Sequence, residues 1–304
     1  MPDLSVIIPA RNEPNLQRTI DDLFAKAEGG IEVIPVLDGY WPDPPLKDNP
    51  NLSVLHKSVA EGMRPAINDG VRMAKGKYIM KCDAHCLFAP GFDTALKGDC
   101  DGDWLCIPTR QSVDPETWEM KGRHFNYHFL TFPYVESMYG LGMHAKTLDW
   151  RENKDWNKEN EAHEIQDLMT FQGSCWFCEK KNFERLGDLD HEHYYFYQEA
   201  QELAFRQWLT GGRVIINKKT WYGHMHKGAG MGRGFYLSLQ RKRLSELYAV
   251  EFWMNEKYGP YPGQIQSFTW FIDKFWPIQT WPKDWQDEKH KVSFYGRKVV
   301  PLHS

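Results

Sequence analysis

GKYIMKCDAHCLF, Gly76 to Phe88, reads as a short buried strand, Tyr78 to Cys82, that carries Asp83 and His85 past its carboxyl end. Residues two apart on an extended chain point the same way, so the carboxylate and the imidazole can meet one ion. An oxygen and a nitrogen ligand suit Mn²⁺ or Mg²⁺ carrying a diphosphate, with water in the remaining positions. Open α/β sheets bind ligands at this end of their strands. Taken alone, these residues favour a plain polar turn after a core strand. The chain on either side reverses that preference.

Upstream, LSVIIPARNEP (Leu4 to Pro14) is an apolar strand running into a polar loop, and Leu16, Ile20, Leu23 and Phe24 then recur at helical spacing. IEVIPVLDG (Ile31 to Gly39) is a second strand ending in Asp38, followed by the proline-rich loop YWPDPPLKDNP. NLSVLHK predicts a third strand, and Arg64 to Lys75 a helix before the central strand. Downstream, FQGSCWFCEKKNFERLGDLD reads as strand, turn and short helix closed by Gly187. YYFYQEAQELAFRQWLTGG gives a helix lined by Leu203, Phe205 and Trp208 that stops at Gly211 and Gly212. RVIINKKTWYGHMHKG is a last strand leading to His224 and His226. This alternation predicts an α/β fold with a doubly wound, mostly parallel sheet.

Two other acidic motifs compete. Asp101 and Asp103 form a literal DxD, but they precede their strand and so fall at the wrong end of the sheet. His163 and Glu164 open an HExxH-like string in which Asp167 takes the place of the second histidine, so a zinc-protease reading fails. Residues 111–170 are aromatic, charged and weakly periodic, and are expected to form an excursion over the sheet where an acceptor pocket can sit.

Composition excludes several classes. The 304 residues are 41% hydrophobic and 26% charged with a net charge of −4, an ordinary globular balance rather than a polycation. No apolar run approaches the roughly 20 residues of a membrane span. The first strand is expected to begin near Leu4, which would leave no room for a signal peptide or anchor. Six cysteines in a chain this long make no disulfide framework. Cys175 and Cys178 form a lone CxxC, read as buried thiols, and a reducing cytoplasm is the expected location.

Between Leu203 and Ser245 there is no Asp or Glu, while Arg206, Arg213, Lys218, Lys219, Lys227, Arg233, Arg241, Lys242 and Arg243 all fall there. They surround the glycine-rich HKGAGMGRG. His226, Lys227, Arg233 and the Arg241-Lys242-Arg243 cluster are expected to form a lid over phosphates or a positive rim for a polyanion. A solvated face is the alternative. From Ala249 onward, Trp253, Trp270, Trp276, Trp281 and Trp285 predict a small extension with a tryptophan core.

In this order the motifs resemble the family 2 glycosyltransferases of the GT-A fold, and in detail the polypeptide N-acetylgalactosaminyltransferases. SVIIPARNE is similar to that family's first strand and nucleotide loop, and VLDG to its uridine-contacting second strand. EGMRPAINDGVRMAKGKYIMKCDAHC resembles the segment ending in the Asp-x-His metal motif, and WYGH the strand ending in the third metal histidine. GSCWFCEKKNFERLGDLD and QEAQELAFRQWLTGG are similar to the acceptor-side strand and the helix behind it. The match covers most of residues 4 to 226. It implies a GT-A domain over 1–235, with a nucleotide-binding half over about 1–110 and an acceptor half over about 111–235. Residues 236–304 would be a C-terminal extension.

The resemblance implies a metal at Asp83, His85 and His224, and a UDP-sugar held by Pro9, Ala10, Arg11, Glu13, Asp38, Arg64, Gly173 and Glu202. Glu199, with Asp83, would be catalytic, hydrogen-bonding the sugar or the acceptor. Inverting members carry a catalytic Asp where this chain has Ala200, which takes no proton, so retention of configuration is expected. Tyr197 and Gln198 replace the family's small glycines, so the donor pocket must differ. The expected acceptor is a hydroxyl on a saccharide or on a hydroxymethylated base in DNA. A non-catalytic sugar-nucleotide module and a nucleotidyltransferase are the alternatives.

Overall fold

The computed structural model describes residues 2–133, 145–147, 162–227 and 235–289. The first half supplies β1 (Leu4–Ala10), α1 (Leu16–Lys26), β2 (Ile31–Asp38), β3 (Leu55–Lys57), α2 (Met63–Met73) and β4 (Tyr78–Cys82). These four strands run parallel in the order β4-β1-β2-β3. Both sheet faces are covered, which is why β1 and β2 are nearly continuous apolar runs. The predicted spacing in α1 holds: Leu16, Ile20 and Leu23 are its buried face. The third strand is shorter than its sequence predicts. Only Leu55–Lys57 pairs as a strand, with Leu52 making an isolated bridge to Val33 at the sheet edge.

After β4 come β5 (Cys86–Phe88), α3 (Phe92–Asp99), β6 (Trp104–Val113), β7 (Met120–Phe125) and β8 (His128–Leu130). Then follow β9 (Ala145–Thr147), β10 (Ile165–Asp167), β11 (Cys175–Glu179), α4 (Lys180–Leu186), α5 (His191–Tyr194), α6 (Glu199–Leu209) and β12 (Arg213–His224). The sheet continues β10-β12-β6-β11-β4, so it is mixed in this half. β11 is antiparallel to both β4 and β6, whereas β12 and β6 are parallel. Part of the 111–170 excursion thus joins the sheet, with β7 on β6 and β10 on β12.

The last described elements are α7 (Leu239–Ala249), which continues into a π-helical turn at Val250–Met254, α8 (Phe268–Lys274) and α9 (Trp285–Glu288). Their aromatic side chains close around Phe205 of α6, whose ring centroid lies 5.2 Å from Trp253, 5.7 Å from Phe268 and 5.6 Å from Phe271. Trp253, Trp281 and Trp285 are buried in the cluster that also holds Ile7 and Trp176. Trp270 is half-buried and packs against this cluster, whereas Trp276 is 39% exposed and is not the core residue its sequence context predicts.

Candidate active site

The site starts from a strand-turn-strand. β4 ends at Cys82, Asp83 donates its backbone N–H to the Ser174 carbonyl (2.9 Å), and the chain re-enters the sheet as β5. β5 pairs antiparallel with the end of β12, placing Cys86 opposite His224. That register brings the distant histidine to the Asp-x-His motif. His85 Nε2 and His224 Nε2 are 3.1 Å apart, and Asp83 Oδ2 is 3.2 Å from His224 Nε2 and 3.9 Å from His85 Nε2. One carboxylate oxygen and two imidazole nitrogens, all within 4.8 Å of one another, form a donor set that could hold a divalent metal ion.

The surroundings favour the ligand forms. Glu13 Oε2 lies 3.0 Å from His85 Nδ1 and turns the Nε2 edge toward the cluster, as carboxylates behind metal histidines do. Burial holds His224 neutral, pulling its pKa down to about 4 against the opposing pull of Asp83. Burial alone would raise the Asp83 carboxyl, but the Lys81 ammonium and His224 drive it well below the usual carboxylate range. Glu13 is likewise lowered: His85 and Lys227 outweigh its burial.

Lys81 has no place in the sequence reading, yet it sits at the centre. Its side chain is 1% exposed, and Nζ donates to Asp83 Oδ1 (2.7 Å) and the Gly173 carbonyl (2.6 Å), with Glu199 Oε2 at 3.4 Å. The indole N–H of Trp176 donates to the other Glu199 oxygen at 2.8 Å. Glu199 begins α6 after Gln198, which takes a left-handed φ of 61°. Burial raises the Glu199 carboxyl, with Lys81 opposing. Gly173 packs closely here: a Cβ would stand 3.1 Å from Glu199 Oε2, a tight contact with the carboxylate. The available signal was a lone cation in the apolar strand YIMKC, two residues before Asp83 and therefore on its face.

Above this cluster opens a cavity of about 1000 Å³. Pro9, Ala10, Arg11, Glu13, Asp38, Gly173 and Glu199 line it, together with the three residues of the metal-type cluster. Asp38 is 3% exposed, and its carboxylate accepts from the backbone N–H groups of Glu61 (2.7 Å) and Gly62 (3.0 Å). Arg64 and Glu202 do not line the cavity. They form a fully buried ion pair beneath its wall, where Glu202 also meets Arg206, and Arg64 donates to the Tyr197 carbonyl. In place of the expected donor contacts, these two positions show contacts to residues 194–199: Arg64 reaches the Tyr197 carbonyl and lies 5.0 Å from the Tyr194 ring centroid.

The basic stretch also disperses. Arg213 pairs with Asp167 at 2.6 Å and Lys219 with Asp99 at 2.9 Å, because neighbouring elements supply the acids that the stretch lacks. Arg206 is buried and caps three carbonyls, Leu186 to Asp188. Lys227 pairs with Glu13, and Lys242 lies 3.7 Å from Glu246. His226, Lys227 and Arg241 line the cavity; Lys242 and Arg243 do not, and Arg233 lies outside the described residues. Asp101 and Asp103 precede β6 at the end opposite His224, as their position predicts.

Part of an aromatic mouth, the run YYFY, escaped the sequence reading, whereas Phe235 and Tyr236 belong to the basic stretch it singles out. Tyr195, Phe196, Tyr197, Phe235 and Tyr236 line the opening. The Arg11 guanidinium stacks 5.3 Å from Phe235, and that of Arg241 lies 4.9 Å from Tyr195. Tyr195 holds a positive φ of 54°, an unusual conformation for a residue with a Cβ.

Residues 5–187, more than half of the chain, match the family described as glycosyl transferase family 2. The chain belongs to that family. Among curated proteins it is 24% identical over 278 residues to polypeptide N-acetylgalactosaminyltransferase 3 of Mus musculus, covering 84% of this chain and 42% of the relative. It is 24% identical over 315 residues to polypeptide N-acetylgalactosaminyltransferase 5 of Caenorhabditis elegans, covering 91% of this chain and 49% of the relative. The family 2 chain thus spans about half the length of these relatives. Among solved structures it resembles GalNAc-T7 with UDP, GalNAc and Mn²⁺, at a TM-score of 0.66 and 19% identity over 83% of this chain and 49% of that one. The fold is GT-A.

Proposed function

We propose that the chain transfers a sugar from a UDP-sugar to a hydroxyl acceptor, with retention of anomeric configuration. The observation that carries this reading is the convergence of Asp83, His85 and His224 at the floor of a cavity of about 1000 Å³. These three residues would hold Mn²⁺ or Mg²⁺. A divalent ion there supplies charge neutralisation for a departing diphosphate.

The chain's own groups do the rest. The loop Pro9 to Glu13 and Asp38 flank the cavity on the side of β1 and β2 and are the donor-binding residues of this reading. Glu199, fixed from both sides by Trp176 and Lys81, presents an oriented acceptor for a sugar hydroxyl or N–H. Ala200 lines the cavity where an inverting member would place its base, which supports attack on the face the diphosphate leaves, with the diphosphate taking the proton.

The acceptor is a saccharide or a hydroxymethylated base in DNA. The aromatic mouth with Arg11 and Arg241 favours a planar ring beside a phosphate, because base-aromatic stacking contributes roughly 1–3 kcal/mol per base. Among the described residues no helix is long and apolar enough to cross a membrane, and all six cysteines are buried free thiols, which supports a reducing compartment. The test is a hydrolysis and transfer screen of UDP-sugars with Mn²⁺ and with chelator. Mn²⁺-dependent release of UDP from one donor is expected. Tight UDP binding without turnover of any donor leaves a sugar-nucleotide-binding module, and release of pyrophosphate a nucleotidyltransferase.

A further inference from the structure

We propose that Lys81 is a positioning residue for sugar transfer, tying the carboxylate that faces the two histidines to the carboxylate that faces the sugar. The inference rests on the glycosyltransferase reading of the same cavity. Lys81 Nζ lies 2.7 Å from Asp83 Oδ1, on the oxygen turned away from the histidines, while Oδ2 is the oxygen near His224. It lies 3.4 Å from Glu199 Oε2 and 2.6 Å from the Gly173 carbonyl, so each of its three N–H donors has a partner. Glu199 in turn is held at Oε1 by Trp176. The two carboxylates therefore cannot swing independently: one ammonium fixes an edge of each.

Packing gives no reason for a charge at this position. Ile79, Met80 and Cys82 around it are fully buried, and Trp176 stands opposite Lys81 in the sheet register. A methionine of similar length would fill the space, and replacing a buried ion pair by well-packed apolar groups is often neutral or stabilising. The ammonium is retained where it sets the geometry of two groups that act on one substrate. A displacement of about 1 Å in such a constellation costs on the order of 100-fold in rate.

The test compares Lys81→Met, Lys81→Arg, Glu199→Gln and Lys81→Met/Glu199→Gln with the wild type. UDP binding and Mn²⁺ binding are read by calorimetry on the free protein, and kcat is read on whichever donor the wild type turns over. Lys81→Met is expected to bind Mn²⁺ and UDP at least as well as wild type, because Asp83 loses a competing cation and UDP carries no sugar to meet Glu199. Its kcat is expected to fall about 100-fold, with partial rescue in Lys81→Arg. The double variant should be no slower than Glu199→Gln alone, because residues acting as one unit do not add. Should Lys81→Met fail to fold, the double variant, which leaves no unpaired glutamate, carries the comparison. An unchanged kcat overturns the proposal. So does a parallel loss of UDP affinity, Mn²⁺ affinity and kcat, or additive losses in the double variant. A wild type that turns over no donor overturns the glycosyltransferase reading itself.

Discussion

His224 Nε2 faces His85 Nε2 at 3.1 Å although 139 residues separate them in the chain. The contact is set by backbone register, because β5 pairs antiparallel with β12 and puts Cys86 opposite His224. Two imidazole edges and the Asp83 carboxylate are thereby preorganised before any ion arrives.

The first prediction concerns that preorganised set. Mn²⁺ is expected to raise the melting temperature of the wild type, since a ligand that binds only the folded state stabilises it by mass action. Asp83→Asn and His224→Ala should each abolish the shift and nearly all turnover. Glu13→Gln, which loosens the hold on His85, should weaken Mn²⁺ about 10- to 100-fold. Asp101→Asn, at the far end of β6, should behave as wild type. Differential scanning fluorimetry with a Mn²⁺ titration reads all four, and a full shift in Asp83→Asn removes the metal assignment.

The second prediction separates support from contact. Arg64 and Glu202 are fully buried and paired, and Glu202 is shared with Arg206. Removing one member of a buried pair leaves an uncompensated charge, so Arg64→Met should cost about 3–5 kcal/mol of stability. Chemical denaturation reads this directly. The Arg64→Met/Glu202→Met variant should lose less than the two single losses combined. A donor contact at Arg64 would give the opposite pattern, with KM for the sugar nucleotide rising sharply and stability intact.

Much of the fold was legible because its cues are local. Apolar runs ending at Asp38 and Asp83 and the helical spacing of Leu16, Ile20 and Leu23 report on strands and a helix buried by neighbours close in sequence. The Asp-x-His pair was legible for the same reason, by the period of two along a strand. Long-range pairing was not. Nothing near Arg64 announces Glu202, and nothing near Arg213 or Lys219 announces Asp167 or Asp99, so a stretch without acids in sequence is not a positive face in space. Lys81 is not legible as a site residue because a lysine in a strand ordinarily snorkels to solvent. Only the antiparallel approach of β11, with Gly173 just before it, encloses this one.

The third prediction follows from Ala200. It stands 4% exposed in the first turn of α6 and lines the cavity, where its methyl group cannot take a proton. Transfer from an α-linked UDP-sugar is therefore expected to give an α-linked product, read from the anomeric proton coupling by NMR. A β-linked product rejects retention and requires a carboxylate from elsewhere in the cavity to serve as base.

The last prediction concerns the acceptor. Arg241 lines the cavity from the first turn of α7, its guanidinium over Tyr195, and Arg11 stacks on Phe235 across the mouth. Tyr236 beside them is 85% exposed. Exposed aromatic faces next to arginines form a surface on which bases stack while phosphates meet cations. Binding of DNA containing a hydroxymethylated pyrimidine is expected to fall steeply with salt, as phosphate contacts release counterions. Arg241→Ala should weaken binding at low salt and reduce the salt slope by about one, the signature of one lost phosphate contact. Arg213→Ala and Lys219→Ala, whose cations already face Asp167 and Asp99, should leave both affinity and slope unchanged. Fluorescence anisotropy from low to moderate salt measures all of these. If the wild type binds no DNA at low salt, the nucleic-acid acceptor is excluded, and the aromatic mouth is left to stack on a sugar ring.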